Sequence, residues 1–248
     1  MGEFYHVYNR GNDKKKIFNN DKDYLRFLVL LYTCNNVGSI HLSNHKGLSK
    51  PQNLLKMFSI KREETLVDIG SYCLMPNHIH LLLKEKIEGG ISLFLQKLFT
   101  AYSMFYNKKH GRTGKLFEGV YKAEHADSDN YLKYLYTYIN LNPISLIDKG
   151  WKDRIIKDKI KAKDFLKSYK YSSYFDYVGI NREENIILNK DAFPEYFESQ
   201  LDFDSMVNEW IEFTDNGKVW PCHTWFKSVL TSDLFLANIA KQALKSSF

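Results

Sequence analysis

Two histidines, His78 and His80, stand one residue apart in an apolar stretch of the chain. Alternate residues of a β-strand project from the same face, so on a strand both imidazoles could reach one metal ion. The pair alone is a weak signal, because eight histidines in 248 residues give a His-x-His by chance about a quarter of the time. A metal site therefore needs a third ligand and a reactive group nearby.

A second set of chemically capable side chains recurs at helical spacing further along the chain, namely Tyr131, Tyr134, Tyr138 and Asn142. A tyrosine can attack a phosphodiester and form a phosphotyrosine, which splits strand transfer into two steps and conserves the bond energy. Helical phase does not select Tyr138 over Tyr131 or Tyr134. An amphipathic core helix would show the same stripe of tyrosines, so the pattern by itself leaves a structural role open.

The hydrophobic pattern predicts the elements that must position these residues. Strands are predicted at 4–7, 67–75, 78–84 and 120–125, and helices at 21–32, 91–106, 129–142 and 232–247. Pro76 and Asn77 make a turn between the second and third strands. Asp127 or Ser128 caps the third helix, and Pro143 ends it. The order β-α-β-β-α-β with an added helix is the ferredoxin-like α+β arrangement, which predicts an antiparallel sheet with helices on one face.

The composition divides the chain into two parts. We expect a catalytic domain at 1–148, with an insertion at 36–64, and a basic linker with a helical extension at 149–248. Residues 149–170 carry nine Lys or Arg against three Asp, whereas residues 191–217 carry eight acids and no base. This asymmetry indicates one face for an anion and another face turned away from it.

The overall composition is that of a folded, mildly basic protein. Of 248 residues, 44% are hydrophobic and 15% aromatic, and the formal net charge is +6. No apolar run approaches the roughly 20 residues that a membrane span needs, and the first residues lack the pattern of a secretory signal. The three cysteines show no Cys-x-x-Cys spacing, which fits a reducing compartment. We therefore expect a cytoplasmic protein without a membrane partner.

The segment 72–83, Tyr-Cys-Leu-Met-Pro-Asn-His-Ile-His-Leu-Leu-Leu, resembles the HUH segment of the REP-associated tyrosine transposases and of their insertion-sequence relatives, the single-tyrosine HUH transposases. Further landmarks follow in the family's order, at 5–18, 110–123, 138–143 and 171–174. Together these matches span about residues 4 to 180. Several motifs in the right order are much more specific than a single His-x-His.

The resemblance implies a role for each residue that matches the family's motif. His78 and His80 would be the metal-binding pair. Tyr138 would be the nucleophile, and Asn142 would complete the metal site. The metal implied is Mg or Mn, although imidazole ligands often hold other metals. The reaction implied is metal-dependent cleavage and rejoining of single-stranded DNA, with a 5′-phosphotyrosine intermediate and a free 3′-hydroxyl.

Basic residues on the loop after the second helix, at the fourth strand and at the first turn are the predicted DNA contacts. They are Lys108, Lys109, Arg112, Lys115, Lys122 and Arg10. Flexible basic side chains on a glycine-containing loop suit phosphate contacts. For His6, a position near the site and simple packing on the sheet are both open, and packing is the favoured interpretation. The expected partner is hairpin-forming single-stranded DNA, from a repetitive palindromic element or a transposon end. This places the protein at the nucleoid, as a monomer or a homodimer.

Two other functions fit the same residues. A domesticated DNA-binding protein would keep the fold and the hairpin affinity without strand transfer. A metal-dependent nuclease would use water as the nucleophile and would leave no covalent protein–DNA species. Substitution of Tyr138 by Phe separates the tyrosine mechanism from the hydrolytic one.

Overall fold

The computed structural model describes residues 1–40, 44, 51–153 and 155–212. The predicted helix at 232–247 lies outside these residues, and so does most of the segment 41–50 in the predicted insertion. Within the described part of the chain, no helix is long and apolar enough to cross a membrane.

Four antiparallel strands form one sheet. They are β1 (Phe4–Arg10), β2 (Val67–Met75), β3 (His78–Glu85) and β4 (Lys122–His125), in the order β2-β3-β1-β4. With β1 and β3 in the centre, this is the ferredoxin-like topology, so the predicted α+β fold class is confirmed. β1 continues past the predicted end at residue 7, because its last residues still pair with β3, where Arg10 lies opposite His78.

The turn between β2 and β3 fixes where the paired histidines begin. Pro76 and Asn77 form this turn, as predicted. The carbonyl of Pro76 accepts hydrogen bonds from the backbone N–H groups of Ile17 and Phe18, at 2.8 and 3.1 Å. The turn is therefore tied to the segment that follows β1, and His78 is held as the first residue of β3.

Six α-helices accompany the sheet in the described residues. They are α1 (Asp21–Thr33), α2 (Gly90–His110), α3 (Asp129–Leu141), α4 (Lys159–Leu166), α5 (Tyr174–Tyr177) and α6 (Gln200–Glu212). The Ser128 hydroxyl caps α3 by accepting from the backbone N–H of Tyr131. α2 ends at Gly111, whose φ of 60° lies in the left-handed region that favours glycine. Pro143 follows α3 and opens a 3-10 turn.

The two faces of the sheet differ in character. Ile79, Leu81 and Leu83 of β3 are fully buried in a core shared with α1 and α2. His80 and Leu82 are also buried, but on the opposite face, which α3 covers. This is the alternation that a strand imposes, as predicted. The prediction of helices on one face holds for α1 and α2, whereas α3 and the chain after it cover the other face.

The chain after α3 extends the core on the α3 side. Trp151, Leu166 and Trp210 are buried there. The landmark at 171–174, the aromatic turn Tyr-Ser-Ser-Tyr, joins β2 through a bridge between Cys73 and Ser172. Described residues on both sides of the predicted boundary at 148 belong to one compact unit. The division into a catalytic domain and an extension stays a prediction.

The described part of the 36–64 insertion packs onto α1. Its 3-10 helix, Pro51–Ser59, buries Leu54, Met57 and Phe58 in the α1–α2 core. The ring of Phe58 meets that of Tyr32 edge to face at 5.5 Å. This part of the insertion therefore contributes apolar surface to the core.

Candidate active site

The two histidines of the predicted metal site stand at the start of β3 and face α3. Their ring centroids are 5.1 Å apart, with the rings nearly perpendicular. Only 6% of His80 is exposed, whereas His78 is half-buried. His78 is therefore the more accessible member of the pair, and His80 is shielded from water.

The turn residue Asn77 determines which nitrogen of His78 is free. Nδ2 of Asn77 donates to the backbone carbonyl of Lys14 at 3.1 Å. A carbonyl only accepts, so this bond fixes the orientation of the amide and directs Oδ1 toward His78. Oδ1 lies 2.7 Å from Nδ1 of His78, which must then be the donor. Nε2 of His78 keeps its lone pair, as a metal ligand requires.

Burial keeps both histidines neutral. The pKa of His78 is lowered to about 4, first by burial and then by the positive charges of Lys152 and Arg10. The pKa of His80 is lowered well below its ordinary value, by burial first and then by His78, His6 and Lys152. A neutral imidazole is the form that binds a metal, so both rings are in that form at neutral pH.

His6 lies beside His80 and Tyr138, which agrees with the alternative that places it near the site and not with simple packing on the sheet. Its Nε2 lies 2.9 Å from Nδ1 of His80, and the two rings stack with centroids 5.1 Å apart. Its Nδ1 faces the carboxylate of Glu124 on β4 at 3.9 Å. The residue is 4% exposed. A buried polar ring needs hydrogen-bonding partners, and here one partner is a predicted metal ligand.

Tyr138 is the tyrosine of α3 that lies against the histidines. Its ring meets those of His6 and His80 edge to face, each at 5.7 Å between centroids. On its other sides it stacks on Tyr134 at 5.7 Å and on Trp151 at 5.8 Å. The ring is half-buried and held on several sides. The structure therefore separates the members of a stripe that helical phase leaves equivalent.

Tyr131, an earlier member of the same stripe, has a different partner. Its hydroxyl donates to Oε2 of Glu124 at 3.3 Å. The hydroxyl of Tyr8 donates to Oε1 of the same carboxylate at 2.8 Å. Burial and the nearby Glu124 charge raise the pKa of both tyrosines. Both hydroxyls therefore stay protonated and serve as hydrogen-bond donors.

Asn142 lies one turn after Tyr138 and is 1% exposed. Its Nδ2 donates to the backbone carbonyl of Tyr138 at 2.7 Å, so its amide fastens the end of α3. Among the described residues, no group of three or more His, Cys, Asp or Glu side chains is arranged to hold a metal ion. The neutral pair His78 and His80 fits two positions of a divalent cation, and oxygen donors would have to supply the others.

Lys152 is a site residue that the sequence does not single out. Its Nζ lies 5.6 Å from the centroid of the Tyr138 ring and 6.0 Å from that of Trp151. Trp151 is 1% exposed and anchors this short segment in the core. The basic composition of 149–170 was the available signal, but it does not distinguish one lysine from eight other basic residues.

Two of the predicted DNA contacts lie on strands next to the histidines. Arg10 ends β1 opposite His78 and forms a two-pronged ion pair with Glu118. Lys122 begins β4 opposite Tyr8. Arg10 therefore carries positive charge beside His78, whereas Lys122 lies across β1 from the paired histidines.

The other predicted contacts lie around the end of α2, on the opposite side of the sheet from Tyr138. Lys108 and Lys109 are in its last turn, where Lys109 pairs with Asp23 of α1. Arg112 lies over the Tyr106 ring at 5.6 Å, and Lys115 is exposed. The six predicted residues therefore form two groups. A backbone hydrogen bond links the segment that follows α2 to the end of β1. The N–H of Glu118 donates to the carbonyl of Arg10 at 2.8 Å.

The family model for IS200-like transposases matches residues 4–142, and the chain belongs to that family. Among solved structures, the chain is similar to a REP-associated tyrosine transposase bound to a REP hairpin. That match has 11% sequence identity and a TM-score of 0.41, and it covers 80% of this chain and 90% of the other. No curated protein matches the chain.

Proposed function

We propose that this transposase binds hairpin-forming single-stranded DNA and cleaves and rejoins it through a 5′-phosphotyrosine on Tyr138. The observation that carries the proposal is the packing of the Tyr138 ring against His6 and His80, both at 5.7 Å. The proposed nucleophile thus lies against His80, one of the two neutral rings proposed to bind the metal, and against His6, which contacts that ring. The chain belongs to a family of transposases. Strand transfer needs a nucleophile and a group that stabilises charge on the phosphate.

In the proposed reaction the hydroxyl oxygen of Tyr138 attacks the phosphorus atom of a DNA phosphodiester. A bond forms between that oxygen and phosphorus, and the bond between phosphorus and the 3′-oxygen breaks. The tyrosine proton leaves to solvent, and the departing 3′-oxygen takes up a proton. The products are a 5′-phosphotyrosine and a free 3′-hydroxyl, which can attack the phosphotyrosine in the reverse sense to rejoin the strand.

His78 and His80 would hold a divalent cation, Mg or Mn, with the Asn142 side-chain oxygen as the third protein donor. When bound, such a cation polarises a phosphate oxygen and stabilises the charge that develops during the transfer. The lowered pKa values of the two histidines support this role, because a protonated ring would repel the cation. Asn142 also fixes the end of α3, which holds Tyr138 beside the pair.

Two positive charges lie near the candidate site. Lys152 is beside the Tyr138 ring, and Arg10 is opposite His78. Both cations lower the pKa of His78 electrostatically. A scissile phosphate at Tyr138 would lie within reach of Lys152, whose ammonium can bind its non-bridging oxygens and stabilise the charge that develops on them. We assign Lys152 to this role.

The two groups of basic residues fit a DNA partner that is longer than the active site. Arg10 and Lys122 would bind phosphates next to the cleaved bond. The group at the end of α2, Lys108, Lys109, Arg112 and Lys115, would bind the duplex part of a hairpin. Such a substrate is found at the nucleoid, so we place the protein in the cytoplasm, as a monomer or a homodimer.

The test is incubation of the protein with labelled single-stranded hairpins from repeats that flank its own gene, in the presence of Mn or Mg. Denaturing gels then reveal a covalent protein–DNA band. We expect Tyr138→Phe to abolish the band and to leave hairpin affinity nearly intact. Tyr134→Phe is the matched control, because it changes a neighbouring tyrosine of the same helix.

Two outcomes would replace the proposal. Hairpin binding with no covalent band, on several such hairpins and with both metals, would favour the domesticated DNA-binding function. Strand cleavage that survives in Tyr138→Phe would favour hydrolysis by a metal-activated water. A band that persists in Tyr138→Phe and disappears in Tyr134→Phe would move the nucleophile to Tyr134.

A further inference from the structure

We infer that His6 and Glu124 are positioning residues that hold His80 in the tautomer whose Nε2 lone pair would be free to bind a metal ion. The inference rests on the proposed function, since it concerns a ligand of the same site. Neither residue has been given a role above beyond its contacts. Both lie on the central and edge strands β1 and β4, opposite each other in register.

Glu124 is held as a carboxylate in a fixed place. Its two oxygens accept from the hydroxyls of Tyr8 and Tyr131, at 2.8 and 3.3 Å. Contact with His6 lowers the pKa of Glu124, with the tyrosine hydrogen bonds adding to the effect. A carboxylate only accepts hydrogen bonds. The nitrogen of His6 that faces this carboxylate is Nδ1, 3.9 Å from Oε2, which is beyond hydrogen-bond distance. The negative charge of Glu124 at that distance favours the proton on Nδ1 over a lone pair there.

The protonated nitrogen of Glu124's neighbour His6 then determines the protonated nitrogen of His80. A neutral imidazole has one donor nitrogen and one acceptor nitrogen. With its proton on Nδ1, His6 presents Nε2 as an acceptor, and Nε2 lies 2.9 Å from Nδ1 of His80. His80 must then donate from Nδ1, which leaves its own Nε2 with a free lone pair. Glu124 thus selects the tautomer of His80 through His6.

His78 reaches the same tautomer by an independent route. Asn77 accepts from its Nδ1 at 2.7 Å and is itself oriented by the Lys14 carbonyl. Two separate networks, one from the turn and one from β1 and β4, leave Nε2 free on both members of the pair. Hydrogen bonds of this kind to the second nitrogen orient histidine ligands in metal sites.

The contacts of His6 do not suit the role of a third metal ligand. One of its nitrogens faces Glu124, and the other is engaged with His80. Packing alone does not account for His6 either. Its ring is 4% exposed, and apolar contacts would leave both of its nitrogens without a hydrogen-bonding partner. Orientation of His80 is the role that uses both contacts.

The first measurement needs no metal and no DNA. Long-range proton–nitrogen spectra of the imidazole rings, on the full chain in a chelator, report which nitrogen of each histidine is protonated. We expect the proton of His80 on Nδ1 in the unmodified protein. His6→Ala should move it partly or wholly to Nε2, and Glu124→Ala should do the same. His6→Gln should preserve the original state, because the glutamine oxygen can accept from His80.

The second measurement is Mn²⁺ affinity, by loss of the free-ion paramagnetic resonance signal, in a Tyr138→Phe background with hairpin DNA bound. We expect His6→Ala to weaken Mn²⁺ binding by about 10- to 100-fold, and His6→Gln to restore most of it. His125→Ala is the matched control, because it removes an exposed histidine from β4.

Three results decide the matter. A His80 proton on Nε2 in the unmodified protein overturns the inference. Unchanged spectra and unchanged Mn²⁺ affinity in both His6→Ala and Glu124→Ala overturn it as well. The expected spectra and affinities together with no covalent DNA band from the unmodified protein would uphold the positioning role and overturn the proposed strand transfer.

Discussion

The two faces of β3 achieve burial in different ways. Toward α1 and α2, Ile79, Leu81 and Leu83 are apolar and need no polar partner. Toward α3, His80 is almost as well buried, but its ring is hydrogen-bonded to His6. Burial of a polar group costs free energy unless its hydrogen bonds are made inside the protein. One face therefore stabilises the fold, and the other holds reactive groups in place at some cost to stability.

The same contrast separates the helices. α1 meets the sheet through a continuous apolar surface, whereas α3 is also fastened by buried polar groups. Asn140 of α3 donates to the hydroxyl of Ser71 at 3.0 Å and accepts from Ser173 at 2.9 Å. This network joins α3 to β2 and to the aromatic turn. Directional bonds fix position more strictly than apolar contact does, and α3 is the helix that carries Tyr138.

The largest effect should come from His80→Ala on the α3 face. Loss of a ligand removes half of the histidine pair, so we expect the covalent DNA band to fall below detection. The free energy of unfolding should fall by about 1 to 3 kcal/mol, because the change removes buried ring contacts and leaves His6 without its partner at 2.9 Å. Denaturing gels and urea unfolding measure the two effects. A band of normal intensity would remove His80 from the metal site, and His125→Ala serves as the control.

A substitution on the α1–α2 face of β3 should lower stability and leave adduct formation unchanged. Leu83→Ala deletes a fully buried side chain from the α1–α2 core, and we expect unfolding to become easier by about 3 kcal/mol. The rate of adduct formation per folded molecule should stay the same, because Leu83 points away from the site. Urea unfolding gives the stability. Leu93→Ala, on the exposed side of α2, should have almost no effect, and equal losses in both variants would contradict the assignment of faces.

A pH titration sharpens the comparison further. The pKa of His78 is about 4 in the folded chain, below its ordinary value of 6.5. Between those values the unfolded chain binds more protons, so this group's contribution to stability is present above about pH 6.5 and is lost as the pH falls toward 4. Carboxylates titrate in the same window, so the quantity to measure is the difference between the unmodified protein and His78→Gln, in chelator. An identical pH dependence of the two proteins would contradict burial of His78.

Much of the fold follows from the sequence because β3 and its neighbours obey simple periods. The bounds of β2 agree with the prediction, since apolar residues predominate in it and Pro76 follows its last residue. The end of β1 was placed too early. Arg10, followed by Gly11 and Asn12, indicates a turn, yet Tyr8 and Arg10 pair with β3, and pairing with a distant strand is not visible in local composition.

The candidate site also combines residues that the sequence predicts with residues that only tertiary contacts identify. His78 and His80 share a face because they are two residues apart, and this spacing is a local property. The choice of Tyr138 over its neighbours depends on which turn of α3 reaches β3, which is set by tertiary packing. The role of His6 depends on a partner that is 74 positions away, so a lone histidine on a strand looks like a core residue. Short-range signals identify the candidates, and long-range contacts decide among them.

The smallest effect that we predict concerns Lys152, which approaches the α3 face from the chain after the matched family segment. Lys152→Ala should slow adduct formation by about tenfold, because a flexible ammonium is only one of several charges at the phosphate. Hairpin affinity should change by less than about twofold, since affinity depends on many phosphate contacts. Lys167→Ala, an exposed lysine of the same basic segment, is the control. Equal loss of affinity and of rate would instead make Lys152 a general DNA contact, and Lys152→Arg should keep more activity than Lys152→Ala because it retains the charge.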